Sequence, residues 1–347
     1  MASSACRFPP AYEACMFSLA EVQRRVSACQ ASMPSGVELE LPDAQAACVV
    51  VRATLANMDL SALFSQAAGR LTDLAQYVGA IVFRGFSVAT ASHFSAALDV
   101  LGSESLEYEE RSTPRTEVDA HLYTATEYPA RESIFLHNEN AYASRWPRFL
   151  AFYCEHPAST GGAMMLADTR QVHDQIPAAL RETCESKGLR YRRRFIEGIG
   201  YDWRQAFAVQ DEEQLTRLLA LRGYKWFKEQ DQLVVERSAT WSSRHPHTQQ
   251  STWFNHGVFF NAYSLSETTR LAFNQLYGPD VYPFQTLYAD GSAIEPHTYQ
   301  TLKDAYERVL YRLMLQRGDV LLIDNMLTAH GRDAYAGLRK HYVKMLA

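Results

Sequence analysis

The sequence predicts a mixed, β-rich α+β fold in which helices decorate the strands of one main domain. Three observations predict it. Short runs of strand-like composition dominate after residue 102, stretches with helical apolar spacing lie between them, and no internal repeat or linker divides the 347 residues. A chain of this length could hold two domains, but single mixed domains also reach this size.

The first elements along the chain are mainly helical. Residues 16–28 form a plausible amphipathic helix inside an N-terminal segment, residues 1–45, which we expect to pack on the core. The main domain then covers residues 46–347. Apolar residues recur at helical spacing over 60–79 and stop at Gly79, a residue type that often ends helices. A β-rich run over 80–86 and a second helical stretch over 92–102 follow.

Strands are predicted for most of the remaining apolar runs. They cover residues 133–140, 148–156, 163–168, 189–195, 232–241, 251–261 and 318–325. Helices are predicted at 169–188 with an interruption at Pro177, and at 212–223, 266–278 and 296–314. The run over 318–325 opens with Gly318 and Asp319 and is otherwise almost wholly apolar, which indicates a buried strand.

Composition and charge argue against several classes of protein. The net charge is −5, from 34 basic and 39 acidic residues, which is not the basic footprint of a nucleic-acid-binding domain. No apolar run reaches the roughly 18 residues of a membrane span, and the first 20 residues lack the pattern of a signal peptide. The six cysteines form no CxxC pair and are expected to be free thiols. We therefore expect a cytoplasmic protein without a membrane or nucleic-acid partner.

A candidate metal site begins in the segment FLHNENAY, residues 135–142. His137 and Glu139 stand two apart, and on a strand such residues point to the same face. His330 ends a long apolar segment, DVLLIDNMLTAH, and could add a third ligand. Two imidazoles and one carboxylate are the facial triad of non-haem Fe(II) sites. The spacing alone also fits a simple His–Glu hydrogen bond on one strand. His256, in the apolar segment WFNHGVFF, is a candidate pocket residue.

With these residues in place, the sequence resembles the taurine dioxygenase (TauD/TfdA)/clavaminate synthase-like family of Fe(II)- and 2-oxoglutarate-dependent oxygenases. The resemblance runs from about residue 79 to the end and rests on GAIVFRGF, on residues 136–170 with their Gly-Gly turn, and on GDVLLIDNMLTAHGRDAYAGLRK. The segments YEERSTPRTEV and TATEYPA are similar to the branch that includes an aspartyl hydroxylase of the syringomycin pathway.

The resemblance implies a double-stranded β-helix, or jelly roll, with iron held by His137, Glu139 and His330. It also implies that Arg339 binds the distal carboxylate of 2-oxoglutarate, a role that suits the planar guanidinium. Met164 stands where relatives have a Thr that helps hold this carboxylate. Losing that hydrogen bond would cost about 1.5–3 kcal/mol. The implied cosubstrates are 2-oxoglutarate and O2, and the carboxylate ligand favours hydroxylation or desaturation over halogenation.

The substrate implied by the resemblance is an amino acid, free or tethered to a carrier protein, in natural-product biosynthesis. Its charged groups would meet residues in segments that border the pocket in relatives, namely Arg111, Arg115, Glu127 and Asn325. The basic run RYRRR, residues 190–194, suits docking of an acidic carrier protein, or is a solvated strand face. Met164 also leaves open a non-catalytic jelly-roll ligand-binding relative with impaired 2-oxoglutarate binding. A zinc hydrolase is disfavoured because no HExxH helix is present.

Overall fold

The helices and strands are taken from a computed structural model, which describes residues 19–41, 48–101, 104–107, 110–113, 115–126 and 128–347. Its helices are α1 (Leu19–Gln30), α2 (Leu60–Val78), α3 (Ala91–Asp99), α4 (Thr169–Gln175), α5 (Ala178–Lys187), α6 (Trp203–Phe207), α7 (Glu212–Leu221), α8 (Glu267–Tyr277) and α9 (Pro296–Arg308). Its strands are β1 (Val37–Glu40), β2 (Val49–Ala53), β3 (Ala80–Arg84), β4 (Glu117–Asp119), β5 (Leu122–Thr124), β6 (Ile134–His137), β7 (Phe149–His156), β8 (Thr160–Gly161), β9 (Met164–Asp168), β10 (Leu189–Phe195), β11 (Lys225–Glu229), β12 (Gln232–Ala239), β13 (Ser243–Arg244), β14 (Ser251–Thr252), β15 (Phe284–Tyr288), β16 (Tyr311–Leu313), β17 (Val320–Asp324), β18 (Thr328–Arg332), β19 (Tyr335–Ala336) and β20 (Lys340–Leu346).

Two facing sheets form the jelly roll. The larger has the strand order β1-β2-β3-β17-β7-β20-β5-β4, and the smaller has the order β16-β9-β18-β6. Their strands pair antiparallel, except that β2 and β3 are parallel. Apolar side chains of both sheets meet in one core cluster, to which β17 contributes Leu321 and β9 contributes Leu166. The predicted β-rich double-stranded β-helix with helical decoration is confirmed.

The almost wholly apolar run of β17 is explained by burial on both faces of the larger sheet. Val320 and Leu322 point to a core formed with α2 and α3, whereas Leu321 and Ile323 point between the two sheets. Successive strand residues face opposite sides, so a strand covered on both faces needs apolar residues throughout. β17 lies between β3 and β7 at the centre of this sheet.

The predicted helix over 60–79 ends as its sequence indicates. Gly79 caps α2 with a φ of 92°, and its N–H donates to the carbonyl oxygen of Ala75 at 2.8 Å. A Cβ at Gly79 would lie 2.6 Å from Oγ1 of Thr328, so both the backbone angle and the contact require glycine.

The described part of the N-terminal segment packs on the main domain. Val22 and Val26 of α1 are buried in the same core as α2, and β1 pairs with β2. The domain boundary predicted at residues 45 and 46 lies outside the described residues and stays a prediction.

A further four-stranded sheet, with the order β11-β12-β10-β15, is covered by α6 and α7 through a separate apolar cluster. β15 and α8 extend from this region to the wall of the pocket described below. Among the described residues, no helix is long and apolar enough to cross a membrane.

The helix predicted over 296–314 and the strand predicted over 251–261 extend further than the elements in the structure. The helix predicted over 296–314 ends at Arg308, because residues 311–313 pair with the free edge of β9 and bury Leu313. The strand predicted over 251–261 stops at Thr252. There Asn255 folds the chain back by accepting the N–H of Gly257 and donating to the carbonyl oxygen of Trp241. Both cases show tertiary contacts overriding a local pattern.

Candidate active site

Three side chains that could bind a metal converge where the smaller sheet pairs β6 with β18. His330 lies directly opposite His137 in this pair, and their rings are 4.5 Å apart. Nε2 of His330 is 4.0 Å from Oε2 of Glu139. One ligand atom from each of the three residues lies within 4.8 Å of the other two. The structure therefore brings together the residues that the sequence proposed.

Glu139 does not lie on the strand that the sequence predicted. β6 ends at His137, and Glu139 belongs to the turn that follows, next to Asn140 with its φ of 55°. The spacing of two residues therefore does not act through strand alternation. Instead, a turn whose backbone is held by hydrogen bonds places Glu139 near His137.

Asn325 holds this turn. It is fully buried, and its Nδ2 donates to the carbonyl oxygens of Glu139 and Pro147, both at 2.9 Å. Its Oδ1 accepts the N–H of Glu139 at 2.8 Å. Because the amide is committed to backbone groups and does not line the pocket, the predicted substrate contact for Asn325 is corrected. It positions the loop that carries Glu139.

The surroundings of the two histidines favour the neutral imidazole that metal binding requires. Nδ1 of His137 donates to the carbonyl oxygen of Phe135 at 2.9 Å, which leaves Nε2 as the ligand atom. Burial is the main cause that lowers the pKa of both His137 and His330. A neutral imidazole is the form that coordinates metals.

Arg115 contacts the candidate ligand Glu139 directly. Its Nη2 lies 2.6 Å from Oε2 of Glu139, and both side chains are buried. Arg115 also lines two pockets that are described below, one beside His330 and one beside His137 and Glu139. Arg111 does not line either pocket; its backbone bonds to Ala206 and Arg193. Glu127 lies outside the described residues.

A small pocket beside His330 contains both residues assigned to 2-oxoglutarate. Nη2 of Arg339 is 3.6 Å from Sδ of Met164, so the two side chains are neighbours. Arg332 and Arg115 also line this pocket, and no carboxylate does so among the described residues. Burial, followed by the charge of Arg332, lowers the pKa of Arg339 to about 10. Such a group of cations favours a bound anion.

A second pocket, of about 310 Å³, opens beside His137 and Glu139. Much of its wall is apolar and comes from β6, α8, β15 and the segment 253–265. The apolar lining residues are Ile134, Phe135, Tyr142, Phe259, Phe260, Leu265, Phe273, Pro283 and Phe284. Its polar residues include Ser112, Thr113, Arg115 and Thr126, which precede β6 in the chain.

His256 belongs to this wall, as its apolar neighbours in the sequence indicated. Its Nε2 donates to the carbonyl oxygen of Asn138 at 2.6 Å, and burial lowers its pKa to about 3. It is therefore a neutral side chain that supports the turn between His137 and Glu139. Phe259 stacks on His137 with ring centroids 4.5 Å apart.

A family model described as "Taurine catabolism dioxygenase TauD, TfdA family" matches residues 42–346. The chain belongs to this family. Like its members, it is an Fe(II)- and 2-oxoglutarate-dependent dioxygenase that uses O2. The chain is 32% identical over 271 residues to the dapdiamide synthesis protein DdaC of Enterobacter agglomerans, covering 77% of this chain and 82% of that protein. It is 27% identical to a clavaminate synthase-like protein of Arabidopsis thaliana over 276 residues, covering 76% and 80%.

Solved structures show the same fold at lower identity. PvcB, an Fe, α-ketoglutarate-dependent oxygenase from an isonitrile synthetic pathway, superposes with a TM-score of 0.53 at 16% identity over 90% of this chain and 92% of that one. AAD-2 in complex with Mn(II) and N-oxalylglycine gives 0.54 at 12% identity over 90% and 97%. The non-catalytic alternative finds no support in these comparisons with TauD/TfdA relatives.

The residues present fit the iron and cosubstrate of a TauD/TfdA dioxygenase. Two neutral imidazoles and one carboxylate form a set that leaves coordination positions open for Fe(II). The neighbouring arginine-lined pocket suits a carboxylate group. Sequence reasoning missed two residues here. Arg332 could have been found, since it follows His330 by two positions in β18, whereas Thr126 gave no local signal.

The basic run 190–194 is not a free surface patch. Its strand, β10, lies between β12 and β15, and its arginines have partners within the protein. Arg190 and Arg192 pair with Glu236 at 3.4 and 2.6 Å, Arg194 pairs with Glu229, and Arg193 donates to the carbonyl oxygen of Arg111. The run therefore gives little basis for docking an acidic carrier protein.

Proposed function

We propose that this TauD/TfdA dioxygenase hydroxylates an unactivated C–H bond of an amino acid in natural-product biosynthesis, with desaturation as the related outcome. The observation that carries this proposal is the convergence of His137, Glu139 and His330 beside an arginine-lined pocket. The biosynthetic context is supported by the 32% identity to a protein named for dapdiamide synthesis.

His137 and His330 would hold the iron through their Nε2 atoms, and Glu139 through one carboxylate oxygen. When bound, the iron supplies the oxidative chemistry, in which 2-oxoglutarate gives succinate and CO2 while an oxygen atom enters the substrate. Asn325 fixes the loop of Glu139, and Phe135 fixes the ring of His137. These contacts keep the ligands in place before the metal arrives.

Arg339 would bind the distal carboxylate of 2-oxoglutarate. The missing Thr weakens this contact, because the Met164 thioether is a poor hydrogen-bond partner. Two other groups in the same pocket can compensate. Arg332 adds a second positive charge, and its guanidinium is held by the carbonyl oxygens of Pro129 and Tyr128 at 2.9 and 3.4 Å. Thr126 lines both pockets and supplies a hydroxyl.

The test measures succinate release with Fe(II) and 2-oxoglutarate in the wild type and in His137→Ala. We expect the variant to lose at least about 99% of the release, because removal of one ligand strongly weakens metal binding. His247→Ala is the matched control, since His247 is exposed. Succinate release at the wild-type rate in folded His137→Ala would refute the iron assignment.

Comparing the products formed from free and from carrier-bound amino acids shows which form is the substrate. We propose that a free amino acid suffices, because the arginines of β10 have partners within the protein. Mass spectrometry of products from matched free and carrier-loaded amino acids tests this. A mass gain of one oxygen only in carrier-loaded substrates would show that the carrier is required.

A further inference from the structure

The pocket beside the candidate iron ligands has an aromatic wall that reaches a ligand itself. Phe259 stacks on His137 at 4.5 Å with an interplanar angle of 23°. The ring centroids of Phe259 and Phe260 are 5.6 Å apart, and Phe260 stacks on Phe284 with ring centroids 4.4 Å apart. Phe273 adds a further ring from α8. A substrate group that approaches the iron from this side therefore meets aromatic rings.

Few charged side chains of the described part of the chain line the same pocket. Among the described residues, the formally charged side chains that line it are Arg115 and Glu139, and these two pair with each other at 2.6 Å. The α-carboxylate of a substrate would approach Arg115, the basic side chain among these described lining residues, while Arg115 keeps its contact with Glu139. A second carboxylate, such as that of an acidic side chain, would then be buried against apolar groups at a large desolvation cost.

The apolar lining is confined to the pocket beside the candidate iron ligands. On the opposite side of β15 and α8, a groove of about 460 Å³ is lined by Arg192, Arg270, Glu267 and Asp280. Neighbouring residues divide between the two cavities: Phe273 and Phe284 face the iron side, whereas Asn274 and Gln285 face the groove. The apolar wall thus belongs to the site and is not a general property of the region.

From these observations we infer that the substrate is an amino acid with a large apolar side chain, aromatic by preference, and not an acidic or small polar one. This inference rests on the proposed function. The side chain would lie against Phe259, Phe260 and Phe284, while its α-carboxylate lies toward the segment that contains Thr113 and Arg115. Burying an aromatic ring among aromatic rings adds packing contacts and releases apolar surface from water.

The test is an anaerobic titration of the holoenzyme with Fe(II) and 2-oxoglutarate, followed through the visible charge-transfer band of the bound cosubstrate. The ligands are L-phenylalanine, L-leucine, L-aspartate and L-asparagine, each offered free and as its pantetheine thioester. We expect phenylalanine to perturb the band at a concentration at least about tenfold below that for aspartate or asparagine. Equal or stronger responses to the polar pair, or no response to any ligand, would overturn the inference.

The band separates the two proposals. If it is absent with 2-oxoglutarate alone, the proposed function fails before any substrate is added. If it forms and the polar ligands act more strongly, only the substrate class is wrong.

Two variants of α8 provide a matched comparison. Phe273→Ala should weaken the response to phenylalanine about tenfold or more, because it removes a ring from the wall. Leu271→Ala, on the same helix but facing the charged groove, should leave the response unchanged. Thermal unfolding of both variants shows whether they remain folded. An unchanged response in folded Phe273→Ala would show that the aromatic wall does not contribute to substrate binding.

Discussion

Replacing Asn325 by alanine removes the side chain that holds the turn of Glu139. Three hydrogen bonds disappear, two at 2.9 Å to the carbonyl oxygens of Glu139 and Pro147, and one at 2.8 Å from the N–H of Glu139. Their partners are backbone groups beneath the site. Because water has little access to a side chain with 0% exposure, these groups would stay without partners unless the turn moves.

The expected losses of stability and of metal affinity follow from these contacts. A buried backbone group left without a partner costs about 1–3 kcal/mol, and partial relaxation of the turn reduces the sum, so we expect a stability loss of about 3 kcal/mol. A moved turn also displaces the carboxylate of Glu139. Loss of groups that orient metal ligands typically weakens metal affinity 10- to 100-fold, and we expect this range for Asn325→Ala.

Urea unfolding measures the first quantity, and titration of metal-free protein with Mn(II) or Co(II) measures the second. Asn255→Ala is the control, because Asn255 is also buried and bonds the backbone of Trp241 and Gly257. It should lose stability but keep most of its metal affinity. If Asn325→Ala binds metal as tightly as Asn255→Ala does, Asn325 does not position the ligand loop.

Two further predictions concern the cosubstrate pocket and the pH dependence of stability. Met164→Thr should lower the Kd for 2-oxoglutarate about tenfold, since a hydroxyl would replace a thioether 3.6 Å from Nη2 of Arg339. Anaerobic titration measures this Kd. An unchanged Kd would mean that Arg332 and Thr126 already replace the missing hydrogen bond to 2-oxoglutarate. Burial, followed by the charge of Arg339, lowers the pKa of His341 to about 3 in the folded protein. The unfolded chain, with a histidine pKa of about 6.5, therefore binds the proton first as the pH falls, and stability is lost progressively between about pH 6.5 and 3. His341→Gln should reduce the loss between pH 7 and 5 by about 1–2 kcal/mol in urea unfolding, whereas equal losses in the two proteins would contradict this origin.

The sequence identified the side chains that converge in the candidate site, but not the reason for their placement. His137 and Glu139 were identified from their spacing, yet Glu139 lies in a turn and not on β6. The contact that makes this arrangement work comes from Asn325, 186 residues away in the chain. Local spacing cannot show such a contact, so the same amide was assigned to substrate binding.

Charge patterns were misleading for a related reason. The basic run 190–194 suggests a docking surface when its neighbours are unknown. In the sheet, Arg192 lies directly opposite Glu236 in the pairing of β10 with β12. Strand register decides whether a charge faces a partner or solvent, and single-sequence patterns do not fix the register of strands about 40 residues apart. A run of charged residues therefore does not by itself predict a binding surface.

The segment formed by β17, a turn and β18 links the two sheets and carries groups that build the candidate site. Its turn contains Asn325, which holds the loop of Glu139, and its second strand carries His330 opposite His137. The residue before the turn, Asp324, accepts the N–H groups of Met326 and Leu327 and pairs with buried His245 at 3.0 Å. This segment therefore supplies one candidate ligand and orients another. Because the unfolded chain lacks this arrangement, a metal bound by His137, Glu139 and His330 would stabilise the folded state, and β17 and β18 connect that site to both sheets.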